Sequence, residues 1–427
     1  IVGQDAITGQ LVVHDTFQAY ADGLLTSPNV VVLGDVGAGK SSLIKTVYVL
    51  RQLVFGRNVI VIDKKNQEGV GEYAALARWL GVEPVRFATG SGGVCLNPLD
   101  PTISSGIGPP DACDEADAAF ASPVQAHDEL SGTHTSGGRD GGPAGQLALL
   151  RAILEVALAR AVTPREGRAV RAAHATALSR CRAAGRTAVI GDVVGAMLDP
   201  GPDAAAAARC TVDELRDYGR DAAYELDRMI DGDLAGLVDR PTSPQVHLGS
   251  ALSVFDISGL PEDGAAIPIT MVLIHTWLAH RLARTRKRSG TVFVVEEGWH
   301  LVDGPTARLY RRNTKLARGL GMSNVAALHH ISDLDPGGSA VALLKEAGTA
   351  HLFCQSKRED ADACVTTFDL PASAAAALPE LPQGTHLLKV GSRPPLVVCH
   401  IRSDIEAELT DTDAAMLAGL GPTGEVR

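Results

Sequence analysis

Short apolar runs alternate with helical periodicity at both ends of the chain, and helical periodicity alone fills its middle. Val30-Val31-Val32-Leu33, Val59-Ile60-Val61-Ile62 and Val292-Phe293-Val294-Val295 are continuous runs with no polar face. That is the pattern of strands covered on both sides in a parallel sheet. Leu252 to Ile257, Ser323 to Leu328 and Ala350 to Gln355 extend the set, and Leu11 to Val13 and Pro84 to Ala88 predict shorter strands. Residues 16–25, 42–50, 72–80, 265–286 and 305–320 read as helices, and Ser356-Lys357-Arg358 opens another. Thr385 to Val390 and Leu396 to Ile401 flank Gly391-Ser392-Arg393-Pro394-Pro395, the signature of an antiparallel hairpin.

In the middle, Leu147, Leu150, Leu154 and Leu158 recur at helical spacing, as do Leu215, Tyr218, Ala222, Leu226 and Met229. Thr163-Pro164-Arg165-Glu166 and Thr211-Val212-Asp213-Glu214 are capping boxes, with a hydroxyl at the cap and a carboxylate three residues on. About four helices with no strand between them predict an all-α insertion. Residues 101–143 are rich in Gly, Ser, Pro, Asp and Ala and too poor in large apolar residues to offset the entropy of ordering. The expected organisation is an α/β core over 1–100 and 241–410, a flexible loop over 101–143, a helical subdomain over 144–240 and a tail over 411–427.

The first strong chemical signal is Gly34-Asp35-Val36-Gly37-Ala38-Gly39-Lys40-Ser41, with Ser42 after it. An apolar strand precedes it and a helix follows, the setting that makes GxxxxGK[ST] a phosphate loop. The glycines let backbone N–H groups turn toward phosphate oxygens, and the helix start adds its positive dipole end. Lys40 is placed to neutralise the β- and γ-phosphates of ATP, and Ser41 to ligate Mg²⁺.

Glu296 and Glu297 follow a buried strand and precede Trp299. Neighbouring strand residues point to opposite faces, so the two acids divide the work: Glu296 toward Mg²⁺, Glu297 toward the attacking water. Asp63 ends another strand and reads equally as a ligand at the sheet edge or as a cap, with Glu68 or Glu72 on the same rim. His329-His330 ends the strand from Ser323 and reads either as a γ-phosphate sensor or as strand-end histidine. Arg281, Arg284, Arg286, Lys287 and Arg288 are either cations at a helix C-terminus or a DNA-contacting patch. His127 and His134 have no ligand spacing and read as loop residues.

Charge narrows the partners. Lys and Arg number 39 against 50 Asp and Glu, a net −11, which argues against a general nucleic-acid binder and leaves only a local basic groove open. The seven cysteines are scattered with no CxxC pair, so neither a zinc site nor a disulfide framework is indicated. No apolar run approaches the roughly 18 residues of a membrane span. The chain starts at Ile1 without Met, and an upstream segment is expected.

Taken in order, GDVGAGKSS, the strand ending in Asp63, Asn97-Pro98-Leu99-Asp100-Pro101, Phe255-Asp256-Ile257-Ser258, Glu296-Glu297-Gly298-Trp299 and Gly384-Thr385-His386-Leu387-Leu388 resemble one family. It is the motor domain of the conjugative and type IV secretion ATPases of the TraC/VirB class, within the HerA–FtsK superfamily. The resemblance implies a RecA-like P-loop core with an inserted helical subdomain, and ATP and Mg²⁺ as cofactors. It also implies a hexamer or other self-assembly, partners in a membrane channel, and a cytoplasmic position at the inner face of the membrane. An arginine from a neighbouring subunit would complete such a site, with Arg318, Arg358 and Arg393 as candidates. Two departures stand out. Glu296 replaces the usual Asp, and His330 stands where the family carries its phosphate-sensing Gln. On that alignment ATP hydrolysis falls as pH moves away from neutrality and His330→Gln retains or raises it, whereas an inactive but folded His330→Gln would argue against it.

Overall fold

The computed structural model describes residues 1–67, 69–90, 92–104, 143–246, 251–284, 290–296, 306, 321–331 and 344–410. They form two compact units. The first comprises the described residues of Ile1–Ala88, Gln245–Pro261 and Lys287–Arg427; the second those of Thr89–Pro244 and Glu262–Arg286.

The first unit is built on one sheet of eleven strands among the described residues. In chain order they are β1 (Gly3–Asp5), β2 (Leu11–Val12), β3 (Val30–Leu33), β4 (Asn58–Asp63), β7 (Val85–Arg86), β8 (Leu252–Asp256), β9 (Thr291–Val295), β10 (Met322–Leu328), β11 (Thr349–Leu352), β12 (Thr385–Val390) and β13 (Leu396–His400). The numbers β5 (Asn66–Gln67) and β6 (Val70–Gly71) belong to a separate two-stranded hairpin. The sheet order is β2-β1-β13-β12-β11-β3-β10-β9-β4-β8-β7. From β11 to β7 every pairing is parallel, and from β11 outward to β2 every pairing is antiparallel.

The continuous apolar runs account for the parallel half. Every residue of β3, β8 and β9 is buried, so neither face can tolerate a charged side chain until the strand ends. Register then matters. Leu33 stands beside both Leu328 and Leu352, and Asp63 beside Asp256. The strands therefore release their polar continuations at one carboxyl edge, where open α/β sheets hold ligands.

The helix after β3 departs from the expected single α-helix. Lys40–Leu43 is α-helical, Ile44–Leu50 takes the wider π turn, and Arg51–Val54 returns to α. The π stretch is the β-branched part, and Ile44 to Val49 are all buried. A π turn inside an α-helix commonly marks a functional site. The strands β1, β5 and β6 and the helix Asp404–Thr410 are further elements that periodicity did not flag. They are short, and β1 exists through its pairing with β13.

The second unit holds helices Pro143–Ala157, Pro164–Ala183, Ile190–Leu198, Pro202–Ala207, Val212–Asp231 and Ala266–Arg284. Both capping boxes form: Glu166 accepts from the Thr163 N–H at 2.8 Å, and Glu214 from the Thr211 N–H at 2.8 Å. Asn97 is buried and locks its own turn, donating to the Ala188 carbonyl and accepting from the Leu99 N–H. Residues 89–104 and the helix Ala266–Arg284 group with this unit and not with the sheet. Pro101–Ser104 is a helical turn where a loop was expected. The helix expected over 305–320, the loop histidines His127 and His134, most of the basic cluster after Arg281 and the 411–427 tail lie outside the described residues.

A layer of neutral histidines underlies the antiparallel half. Tyr48 and His351 share a 2.6 Å hydrogen bond, and the His351 and His386 rings are 4.8 Å apart. His14 bonds to Thr349, and His400 Nδ1 donates to the Val2 carbonyl. Burial pushes His14 and His400 down to about 4, His386 to about 3, and His351 well below its usual value. Unfolding between about pH 4 and 6.5 therefore takes up a proton at each ring, and stability falls as pH drops below 6.5. Asp63, raised by burial to about 8, runs the other way and offsets one of the four. The denaturation midpoint is expected to fall steadily from pH 7 to pH 5, on the order of 1 kcal/mol per pH unit for each uncompensated histidine. Replacing His386 by Met should flatten that slope by about one proton; an unchanged slope would mean that the rings are protonated in the fold.

Candidate functional site

The phosphate loop starts where β3 ends. Gly34 lies so close to β11 that a Cβ would come 2.5 Å from the Phe353 Cβ. Gly39 has φ +109°, and a Cβ there would lie 3.2 Å from the Gly384 nitrogen. Space requires glycine at Gly34, and at Gly39 the left-handed backbone favours it while the contact is only tight. Asp35 ties the loop to the segment after β11. Its N–H donates to the Cys354 carbonyl, and its carboxylate accepts from the Ser356 N–H at 2.9 Å. Val36 at the tip is 83% exposed, Gly37 has φ +78°, and Ala38 is buried. Ala38 also accepts from the Gly384 N–H at 2.9 Å.

Lys40 is buried at the helix start. Its ammonium donates to the Gly34 and Asp35 carbonyls and stands 3.2 Å from His329 Nδ1. Ser41 donates to Glu296 Oε2 at 3.1 Å, and Ser42 lends its carbonyl to Thr46. Glu296 emerges from β9 and is only 1% exposed. Lys65 donates to its Oε2 at 2.8 Å, and the Tyr73 hydroxyl to its Oε1 at 2.5 Å. Burial pushes this carboxyl up, but the Lys65 charge and the hydrogen bonds from Lys65 and Tyr73 outweigh it and hold it below its usual value.

A second row of charge lies beneath. Glu72 pairs with Lys45 at 2.9 Å and with Lys65 at 3.3 Å. Asp63 accepts from the Tyr73 N–H at 2.7 Å, and Asp256 accepts from the Gly71 N–H and from Ser258. Asp63 thus takes the capping arrangement: burial raises it to about 8, the proper state for a carboxyl with few donors. Lys65 is also raised, which in its case favours the charged form, because Glu296 and Glu72 outweigh the cost of burial.

The two histidines after β10 separate. His329 faces Lys40, whereas His330 Nδ1 stands 3.1 Å from Asp360 and 3.7 Å from Asp35. Arg358 is 77% exposed and paired with Asp362 at 3.7 Å, and Arg393 is exposed in the hairpin turn. Glu297, Trp299, Glu68 and Arg318 lie outside the described residues. Periodicity and motif missed Lys65, Tyr73 and Lys45; of the pair His329-His330, the resemblance placed the sensing role on His330, whereas His329 is the one beside Lys40. Lys64-Lys65 directly after the strand-end Asp63 was the only local hint.

The site suits a triphosphate with a divalent ion. Backbone N–H groups and Lys40 supply the anion cradle. Ser41 and Glu296 bring two hard oxygens together, the donor set Mg²⁺ takes, and a cation, the Lys65 ammonium, already stands against both.

Comparison with known proteins gives the fold a counterpart. No family model and no curated protein matches the chain. Among solved structures, VirB4 of Thermoanaerobacter pseudethanolicus superposes with a TM-score of 0.68 at 22% identity, covering 95% of this chain and 97% of that one. The chain shares its fold with VirB4. The plasmid coupling protein TrwB, in complex with the non-hydrolysable ATP analogue ADPNP, is more distant, with a TM-score of 0.50 at 12% identity over 88% of this chain and 86% of that one. The VirB4 likeness spans both units, so the mixed α/β fold of P-loop NTPases expected from the sequence is the one found.

Replacing Tyr73 by Phe removes the hydroxyl that donates to buried Glu296. Stability in urea should fall by about 1–3 kcal/mol. An unchanged midpoint would mean that Lys65 and Ser41 satisfy the carboxylate alone.

Proposed function

We propose that the chain is an ATP-hydrolysing motor domain that drives substrate transfer or channel assembly in a conjugative or type IV secretion system. The observation that carries this reading is the convergence of Lys40, Ser41 and Glu296 at the carboxyl edge of a sheet whose fold is shared with VirB4. In the proposed cycle, loop N–H groups and Lys40 grip the β- and γ-phosphates. Mg²⁺, when bound through Ser41 and Glu296, supplies charge neutralisation between those phosphates. Glu297 orients and polarises the water. His329 reaches the phosphate end through Lys40, while His330 stands beside Asp360; this moves to His329 the sensing role the resemblance placed on His330. One of Arg318, Arg358 and Arg393 completes the site of a neighbouring subunit in a hexameric or similar ring. Exposed Arg358 and Arg393 are free to cross such an interface. The channel components at the inner face of the membrane are the proposed partners. No described helix is long and apolar enough to cross a membrane.

The likeness to a plasmid coupling protein supports a second reading, a translocase acting on duplex DNA. Steady-state ATP hydrolysis with and without duplex DNA, with Lys40→Ala as blank, separates the two. The motor reading expects a Lys40-dependent rate indifferent to DNA and lost in Glu297→Gln. A several-fold rise with DNA that disappears at high salt would favour the translocase. A rate no higher than the blank would leave a nucleotide-binding scaffold and overturn the motor.

A further inference from the structure

Lys65 has a position that phosphate binding does not use. Its ammonium lies 2.7 Å from the Ser41 hydroxyl and 2.8 Å from Glu296 Oε2. Those are the two oxygens assigned above to the divalent ion, and they are 3.1 Å from each other. The three atoms close a triangle. Mg²⁺ holds its oxygens at about 2.0–2.1 Å, so an ion touching both would press directly against the ammonium.

The surroundings make this a built contact. The hairpin β5–β6 joins Lys65 to Glu72, and the Lys65 carbonyl accepts the Glu72 N–H at 3.1 Å. Glu72 holds Lys65 with one oxygen and Lys45 with the other. Two carboxylates, Glu72 and Glu296, thus face the Lys45 and Lys65 ammonium groups. A divalent ion on Ser41 and Glu296 would stand against the Lys65 ammonium, where like charges repel and both need the same oxygens. One cation has to yield. Lys45 is 3% exposed and fixed over the Tyr73 ring, whereas the Lys65 side chain is 30% exposed and has water to move into.

We propose that Lys65 is a tethered cation that competes with the divalent metal for Ser41 and Glu296. The proposal rests on the ATP-site reading and adds a device to it. Metal arriving with nucleotide expels the Lys65 ammonium, which makes nucleotide loading visible to the hairpin that carries it.

Mn²⁺ serves as the probe, with ADP to avoid turnover. Bound ion is counted from the loss of the free-ion electron paramagnetic resonance signal, against the same ADP without protein. Lys65→Met should lower the half-saturating Mn²⁺ concentration at least tenfold, while Lys65→Arg, which keeps the charge, stays near wild type. Equal or weaker ion binding by folded Lys65→Met overturns the proposal. A measurement on the unaltered chain covers the case in which that variant does not fold. Acetylation of Lys65, followed by mass spectrometry, should quicken at least fivefold with Mn²⁺ and ADP together and with neither alone. A rate unmoved by the pair overturns the proposal while leaving the ATP site standing, provided wild type shows ADP-dependent Mn²⁺ binding that Lys40→Ala abolishes. Absence of that binding in wild type overturns the ATP site and the proposal with it.

Discussion

The cost of placing charge inside a packed sheet governs the first unit. Asp63, Glu72, Asp256, Glu296, Lys40 and Lys45 are all buried within a few residues of the apolar strands. Isolated, each ion would cost several kcal/mol. The chain answers differently at each position. Glu296 is held in the charged form by the Lys65 and Lys45 ammonium groups and the Tyr73 hydroxyl, and Glu72 pairs with Lys45 and Lys65. Asp63 has a backbone donor but no cation, and it is held toward the neutral form. Lys40 leans on loop carbonyls. The backbone conformation of residues 63–73, which carries most of these partners, follows from having to bring them to the carboxylates.

The same constraint explains what could be read in advance. Buried parallel strands leave an unmistakable trace, since Val30 to Leu33 and Val292 to Val295 admit nothing polar. The loop between Gly34 and Ser41 is legible because phosphate binding demands glycine at fixed spacing. The capping boxes at Thr163 and Thr211 are local, closed within four residues. Lys65 and Tyr73 were hidden because their meaning is long-range: Lys65 meets Glu296 across 231 positions of sequence, and no periodicity encodes that. The choice between His329 and His330 turns on which ring Lys40 meets, which is a matter of register at the end of β10. The π stretch from Ile44 to Leu50 was invisible for a related reason. Its composition permits an α-helix, and nothing in its spacing marks the wider turn.

The specific motifs also divide between structure and chemistry. Asn97, within the element that carried the resemblance, holds its own turn through the Leu99 N–H and ties it to Ala188 and Thr242 within the second unit. Its information is about fold. Glu296 and Lys40 bear on reactivity. A likeness in both sets supports a functional reading more than either alone, because the two are free to vary independently.

The bond from the Gly384 N–H to the Ala38 carbonyl has a mechanical side. It fastens the phosphate loop to the first residue before β12, and Gly384 in turn accepts from the His400 N–H at the end of β13. The loop is thereby joined by main-chain hydrogen bonds to the ends of both strands of the β12–β13 ribbon, and β13 pairs on to β1 and β1 to β2. A displacement of the loop would meet, in that direction, a continuous run of backbone bonds that reaches the rim of the sheet.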